Sequence, residues 1–267
     1  MEETASKGRP LSGSEMPADG MNGLRHSGFA RYGPTQLGID PAGAAADDLA
    51  EITEGCADLP PDPYAPGTNR YRRYSHAVYL PWKDELSWIP GTPDPVHGTV
   101  TEYYPRRALP GIPEPLRTNP LLERLVRWDI GQTLWLEGFE RRPMWVGVHL
   151  IKLGVESPGQ VAVSLPNCLH QDGGSPRTFT FAHLISYRNI TGGENVIATP
   201  DSAGLGPEDV HEMDIHARFT LRDPLDGYAV HDHRVSHYVA PVGLGHQPGP
   251  GERCILIVGL APYVPQL

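Results

Sequence analysis

The chain has 267 residues, enough for one sizeable domain and cramped for two. Its 32 acidic and 22 basic side chains give a formal charge of −10, which argues against a nucleic-acid partner and for a small-molecule ligand, because phosphate recognition relies on clustered Lys and Arg. No apolar run approaches the roughly 20 residues that span a bilayer, and no apolar leader opens the chain, so a soluble, cytoplasmic protein without a membrane partner is expected.

The 30 glycines and 29 prolines favour many turns and short strands over long helices. Cys56, Cys168 and Cys254 are odd in number, widely spaced and form no CxxC, which suggests neither a disulfide framework nor a thiolate zinc site and fits a reducing cytoplasm. No pattern speaks to oligomeric state.

Residues 1–60 read as an N-terminal extension, with Phe29 and Tyr32 its only aromatics. Such a segment offers little apolar area against its ordering entropy, so Met1 to about Gly20 is expected to be mobile, with a short helical turn at Asp47 to Ile52. Residues 61–267 are expected to form a single domain. Within it, Arg70 to Leu80 alternates as a strand does, placing Arg70 and Arg72 on one face, either as a carboxylate clamp for substrate or as a solvated surface. Pro81 to Pro115 reads as irregular loop with a short strand at Val100 to Tyr104.

Asn119 followed by Pro120 is an N-cap with proline at the first helical position, and Leu121, Leu122, Leu125, Val126 and Ile130 keep helical spacing. A helix packed on a sheet is predicted there. Met144 to Ile151 is a nearly continuous apolar run, as in a strand buried on both faces, and His149 within it reads as a core histidine rather than a ligand. Further on, Thr178 to Ile185 and Asn195 to Thr199 flank the turn Thr191-Gly192-Gly193-Glu194, which predicts a hairpin. His211 to Arg222, Tyr228 to Val242 and Arg253 to Leu260 complete a series of strands separated by turns such as Asp223 to Gly227. The pattern is that of a mainly β sandwich or jelly roll with the long helix supporting one face.

The chemistry concentrates in Pro166 to Ile197. On a strand, residues two apart project from the same face, so His170 and Asp172 can converge on one point. One distant histidine would complete a two-His, one-carboxylate set, which leaves three positions of an octahedral iron open. His231, His233 and His237 are the candidates. His237 heads an apolar strand and the other two lie in a turn-rich approach that suits surface or supporting groups, although periodicity alone does not decide. Arg188 and Asn189 cannot both point inward on a regular strand, and one of them could help bind substrate. Asp232 and Arg234 could pair with each other or bind the ammonium and carboxylate of a zwitterion.

The runs His170-Gln171-Asp172-Gly173, Arg188-Asn189-Ile190-Thr191-Gly192-Gly193-Glu194 and Asp232-His233-Arg234-Val235-Ser236-His237, with Arg253 after them, resemble in order and spacing the bacterial iron(II)/2-oxoglutarate-dependent dioxygenases similar to L-isoleucine 4-hydroxylase. The likeness covers about Tyr71 to Tyr263. It implies a double-stranded β-helix, a cupin-like jelly roll with supporting helices, with His170, Asp172 and His237 on Fe(II). The cosubstrates would be 2-oxoglutarate and O2. Cys168 departs from the small residue usual at its position, and the N-terminal extension has no counterpart. Arg253 stands where such enzymes carry the cosubstrate anchor, since a planar guanidinium suits the far carboxylate bidentately. Ile255 and Ile257 would share its face as an apolar wall.

The implied activity is oxidation of an unactivated C–H bond of a free amino acid or derivative, by hydroxylation or, in specialised metabolism, by ring closure or desaturation. The rival readings are a cupin-like metal-binding or isomerase module and a catalytically silent relative acting through protein contacts. Arg253 separates the oxygenase from the cupin-like module, because a non-oxygenase needs no buried anchor for a dicarboxylate, and a silent relative would be favoured by purified protein that holds no iron.

Overall fold

A computed structural model describes residues 22–90, 108–173 and 175–264. The expectations for residues 1–20 and for the strand at Val100 to Tyr104 lie outside them. In chain order the elements are α1 (Asn22–Ser27), β1 (Phe29–Tyr32), α2 (Pro34–Leu37), α3 (Ala46–Ala57), β2 (Arg70–Leu80), β3 (Glu85–Ile89), α4 (Glu114–Arg117), α5 (Pro120–Gly131), β4 (Met144–Val155), β5 (Val161–Ala162), β6 (Phe179–Arg188), β7 (Ile190–Gly192), β8 (Asn195–Ala198), β9 (Ile215–Phe219), β10 (Gly227–His231), β11 (Ser236–Val239), β12 (Val242–Leu244) and β13 (Gly251–Pro262).

The apolar run of β4 lies beside the central strand, β13, of a seven-stranded antiparallel sheet ordered β1-β10-β6-β13-β4-β2-β3. It pairs with β13 along its whole length, from Met144 opposite Pro262 to Val155 opposite Gly251. Two three-stranded sheets, β11-β8-β9 and β5-β12-β7, cover the inner face of the large one. Ile151, Leu184 and Ile255 of the large sheet pack with Ile197 and Phe219 of one small sheet. Leu153 and Val155 pack with Ala162, Ile190 and Val242 of the other. This two-layered arrangement is the expected jelly roll.

Helices close the outer face. Asn119 caps α5, its Oδ1 accepting from the backbone N–H groups of Leu121 and Leu122 at 3.0 and 3.1 Å. The predicted stripe of α5 is buried against α3 and the sheet. The helical turn expected at Asp47 to Ile52 lies inside the longer α3. Residues 22–60, read from sequence as an extension, are joined to this architecture: β1 pairs with β10 at the sheet edge, and Leu49, Ile52 and Cys56 of α3 enter the main core. No helix of the described residues is long and apolar enough to cross a membrane.

Three local expectations are corrected. β6 and β8 form no hairpin, since β6 pairs with β10 and β13 whereas β8 pairs with β11 and β9. Gly192 and Gly193, at φ 82° and 71°, turn the chain from one sheet to the other, a left-handed path open to glycine at no steric penalty. Tyr228 to Val242 is not one strand either: it breaks after His231, resumes as β11 at Ser236 and again as β12. Cys56 and Cys254, 198 residues apart, are joined in a disulfide between α3 and β13, leaving Cys168 as the free thiol. A pairing across two distant elements leaves no trace in local spacing, and it removes the cysteine argument for a reducing compartment.

Candidate metal centre and adjoining cavity

His170, which belongs to no named strand, meets His237 of β11 in a single antiparallel bridge. Each backbone N–H donates to the other's carbonyl at 2.9 Å, so the two residues sit directly opposite and their side chains rise on the same side, ring centroids 4.3 Å apart. Asp172, two residues along, turns its carboxylate between the rings. Its Oδ1 lies 3.6 Å from His170 Nε2, and its Oδ2 lies 3.4 Å from His237 Nε2. One donor atom from each of the three lies within 4.8 Å of the others. Two ligands about 2.1 Å from one ion at a right angle would be roughly 3.0 Å apart, so small side-chain adjustments let all three bind a single octahedral cation.

The surroundings prepare these donors. His170 Nδ1 donates to the Cys168 carbonyl at 2.9 Å, leaving the lone pair on Nε2, the atom that faces Asp172. Burial, with His237 close by, lowers the His170 pKa to about 4 against the pull of Asp172, so its ring is neutral at pH 7. Burial penalises the charge of Asp172, yet His237, His170 and the Thr180 hydroxyl hold its pKa below the usual carboxylate range. Burial also disfavours a charged His237, and there Asp172 and Asp232 prevail and raise its pKa.

Thr180 Oγ1 lies 3.1 Å from Asp172 Oδ2 and 3.2 Å from Asp232 Oδ2, bridging two carboxylates. Burial and the charge of Asp172 push Asp232 up to about 7. The side-chain amide of Gln171 donates to the carbonyls of Asp232 and Val235, tying the His170–Asp172 segment to the turn that leads to His237. Thr180 was not singled out in the sequence, and Gln171 stood there only as a member of the His170 to Gly173 run, without a role. Only the inner-face parity of β6 points to the first, and nothing local points to the second.

Tyr228, whose ring centroid lies 6.4 Å from that of His237, leads from this cluster to a cavity whose walls include Ser164, Asn195, Tyr228, Arg253, Ile255 and Ile257. The expected sharing of a face by Arg253, Ile255 and Ile257 holds. Arg253 is 3% exposed, and its Nε and Nη2 have no hydrogen-bond partner among the described residues. Burial lowers its pKa. A buried guanidinium without a counter-charge costs several kcal/mol, so a cavity holding one suits an anionic guest. Tyr228 lines the same cavity, and although burial raises the pKa of its phenol, Arg253 acts against that rise.

The remaining candidates go elsewhere. Arg70 and Arg72 are buried on the inner face of β2, which excludes the solvated-surface alternative. Arg70 Nε lies 3.4 Å from Asp62 Oδ2. Arg72 Nη2 lies 2.7 Å from His149 Nδ1, and the His149 ring packs on Tyr74 at 4.5 Å. Arg188 is exposed and pairs with Glu252 at 3.3 Å, because it lies opposite Glu252 at the end of β6, one residue out of step with Tyr187, which lies opposite the inward Arg253. Asp232 and Arg234 form no ion pair: the first is buried beside Thr180, and the second points outward to α1. His233 is exposed as expected, but His231 is buried and stacks on Phe179 at 4.4 Å. The break after His231 cancels any shared periodicity with His237.

Comparison with known proteins adds an independent line. The profile of a family described as 2OG-Fe dioxygenase matches residues 53–259, more than half of the chain. The chain is 26% identical over 225 residues to 3(1)-hydroxy-L-isoleucine 4-dioxygenase of Pantoea ananatis (strain AJ13355), covering 79% of this chain and 80% of that protein. Among solved structures, IDO from Bacillus thuringiensis superposes with a TM-score of 0.69 at 18% identity, over 92% of this chain and 99% of that one. A bsmA homolog from Methylobium petroleophilum PM1 superposes with a TM-score of 0.73 at 20% identity, over 94% of each chain. At such identities the two structures speak for the fold.

Proposed function

The chain belongs to the 2OG-Fe dioxygenase family and is an oxygenase using Fe(II), 2-oxoglutarate and O2, and from that premise we propose that it oxidises an unactivated C–H bond of a free amino acid or close derivative, with His170, Asp172 and His237 holding the iron and Arg253 receiving the cosubstrate. One observation carries the assignment: three convergent metal donors are joined through Tyr228 to a cavity that contains a buried guanidinium with unpartnered nitrogens.

The donor set fits the ion. Two neutral imidazole nitrogens and one carboxylate suit a divalent first-row metal and leave coordination positions for other ligands. The bound metal and cosubstrate supply an oxidation that couples loss of carbon dioxide from 2-oxoglutarate, giving succinate, to entry of oxygen into the substrate. The chain's own task is placement. His170 Nε2 is kept deprotonated by burial, Asp172 contributes the negative charge, and Thr180 limits the swing of that carboxylate. Arg253 would pair with the far carboxylate of 2-oxoglutarate through its two unpartnered nitrogens, while Ile255 and Ile257 keep water from that pair.

The amino-acid substrate class rests on the Pantoea relative, which acts on a hydroxylated isoleucine. Hydroxylation is the default outcome, with ring closure or desaturation as its variants. Anaerobic addition of 2-oxoglutarate to the Fe(II) protein is expected to develop a visible charge-transfer band, and a panel of free L-amino acids is expected to include one that raises succinate above background. A folded protein that gives no band removes the assignment. A band without any active amino acid removes the substrate class alone.

A further inference from the structure

His237 reaches the metal cluster from a five-residue turn, 231–235, and that turn is held on both sides. From within, Gln171 donates to the carbonyls of Asp232 and Val235. From outside, Arg234 donates through Nη1 to the Arg25 carbonyl and through Nη2 to the His26 carbonyl, at 2.6 Å each. Those are late carbonyls of α1, which lack partners within their own helix, and a guanidinium fork suits two of them at once.

The same N-terminal segment makes three more contacts there. The backbone N–H of His231 donates to the Gly28 carbonyl at 2.8 Å. β1 continues along β10 from Phe29 opposite Val230 to Tyr32 opposite Gly227. Gly28, at φ 83°, packs so closely that a Cβ on it would lie 2.7 Å from Arg234 Cβ and 3.3 Å from Val235 Cγ1. Among the described residues no hydrogen bond or ion pair joins α1 or β1 to His170, Asp172 or His237, and α1 and β1 precede residue 53, where the family match begins.

We propose that residues 22–32 are a clasp that fixes the 231–235 turn and thereby the position of His237, with Arg234 as its positioning residue. The proposal rests on the assignment of His237 as a metal ligand. It predicts that metal affinity depends on contacts outside the family match and remote from the ion.

The test uses the full-length apoprotein, titrated anaerobically with Co(II) and followed by visible absorption, with melting temperature recorded for each variant. Arg234→Ala is expected to weaken Co(II) binding by about tenfold or more, as loss of a ligand-orienting contact typically does. Arg234→Lys, able to reach one carbonyl, should recover part of that loss. Gly28→Ala should reproduce the weakening by pressing on the turn, and it serves if Arg234→Ala does not fold. Arg218→Ala, at an exposed ion pair with Glu194, should bind as the wild type does. In a His237→Ala background the Arg234→Ala effect should vanish, because the coupling runs through that ligand.

Wild-type affinity in folded Arg234→Ala and Gly28→Ala proteins, or an undiminished Arg234→Ala effect without His237, overturns the clasp. Failure of the wild type to bind Co(II) overturns the metal assignment instead, and the clasp with it.

Discussion

Arg70 and Arg253 flank Leu153 in one row across the large sheet, Arg70 opposite Leu153 on β2 and Arg253 opposite it on β13. Directly paired residues project from the same face, so both guanidinium groups lie buried on the inner side. Their surroundings differ. Arg70 has Asp62, itself buried, at 3.4 Å, and also reaches the Leu165 carbonyl. Arg253 has apolar walls, a tyrosine and two nitrogens without partners. Residue type, sheet face and burial are alike, and the neighbouring carboxylate makes the difference: one arginine is neutralised by the fold, and the other has no carboxylate beside it among the described residues.

Loss of Arg253 should disturb 2-oxoglutarate binding most. Arg253→Gln is expected to raise the half-saturating 2-oxoglutarate concentration by about two to four orders of magnitude, since removing one partner of a buried charge pair costs on the order of 3–5 kcal/mol. Stability of the cosubstrate-free protein should hold or rise, because an uncompensated buried charge is removed. Equal half-saturation in wild type and variant would end the distinction between the two arginines.

Next comes the phenol that faces Arg253. Tyr228→Phe keeps the ring and removes the hydroxyl, so a half-saturation raised by about two- to tenfold is expected, the range of one net hydrogen bond. A change as large as that of Arg253→Gln would make Tyr228 the principal anchor.

Arg70→Gln should do the reverse of Arg253→Gln. Asp62 would be left buried without its cation, which destabilises by about 3–5 kcal/mol and should appear as a lower denaturation midpoint. Half-saturation by 2-oxoglutarate should stay within about twofold of wild type. A large rise at unchanged stability would return Arg70 to the substrate or cosubstrate site.

The contrast also marks where the sequence stops being legible. His170, Asp172, His237 and Arg253 stood out because the motif and strand parity are local, and β2, β4 and α5 because long periodic runs and an N-cap are local too. The role of Asp62 was not visible, since it meets Arg70 only through the chain path that brings residues 60–62 alongside β2. Arg188, Asp232 and Arg234 were misdirected for a similar reason: the pairing of β6 with β13 turns Arg188 to the face opposite Arg253, and a break after His231 resets which way Asp232 and Arg234 point. The hairpin expected around Gly192 and Gly193 assumed that neighbours in sequence pair, and in a jelly roll those strands belong to opposite layers.

The smallest effect on cosubstrate binding is expected from the disulfide, although it begins one residue after Arg253. Successive side chains of a strand point to opposite faces, and Cys254 accordingly joins the core on the helical side, bonded to Cys56 of α3, while Arg253 faces the cavity. Opening the bond frees a loop closed across 198 residues, which loosens chiefly the unfolded chain and costs roughly 2–4 kcal/mol of stability. It leaves the inner face of β13 as it was, because the pairing of Arg253 with Leu153 and Tyr187 is independent of the cystine. The paired Cys56→Ser, Cys254→Ser variant is therefore expected to melt at lower temperature yet to be half-saturated by 2-oxoglutarate within about twofold of wild type. Alkylation of the denatured, unreduced wild type should label Cys168 alone. A many-fold loss of cosubstrate affinity in the folded double variant would show that the two faces of β13 move together, and the separation drawn here between a scaffold side and a ligand side would fail at that strand.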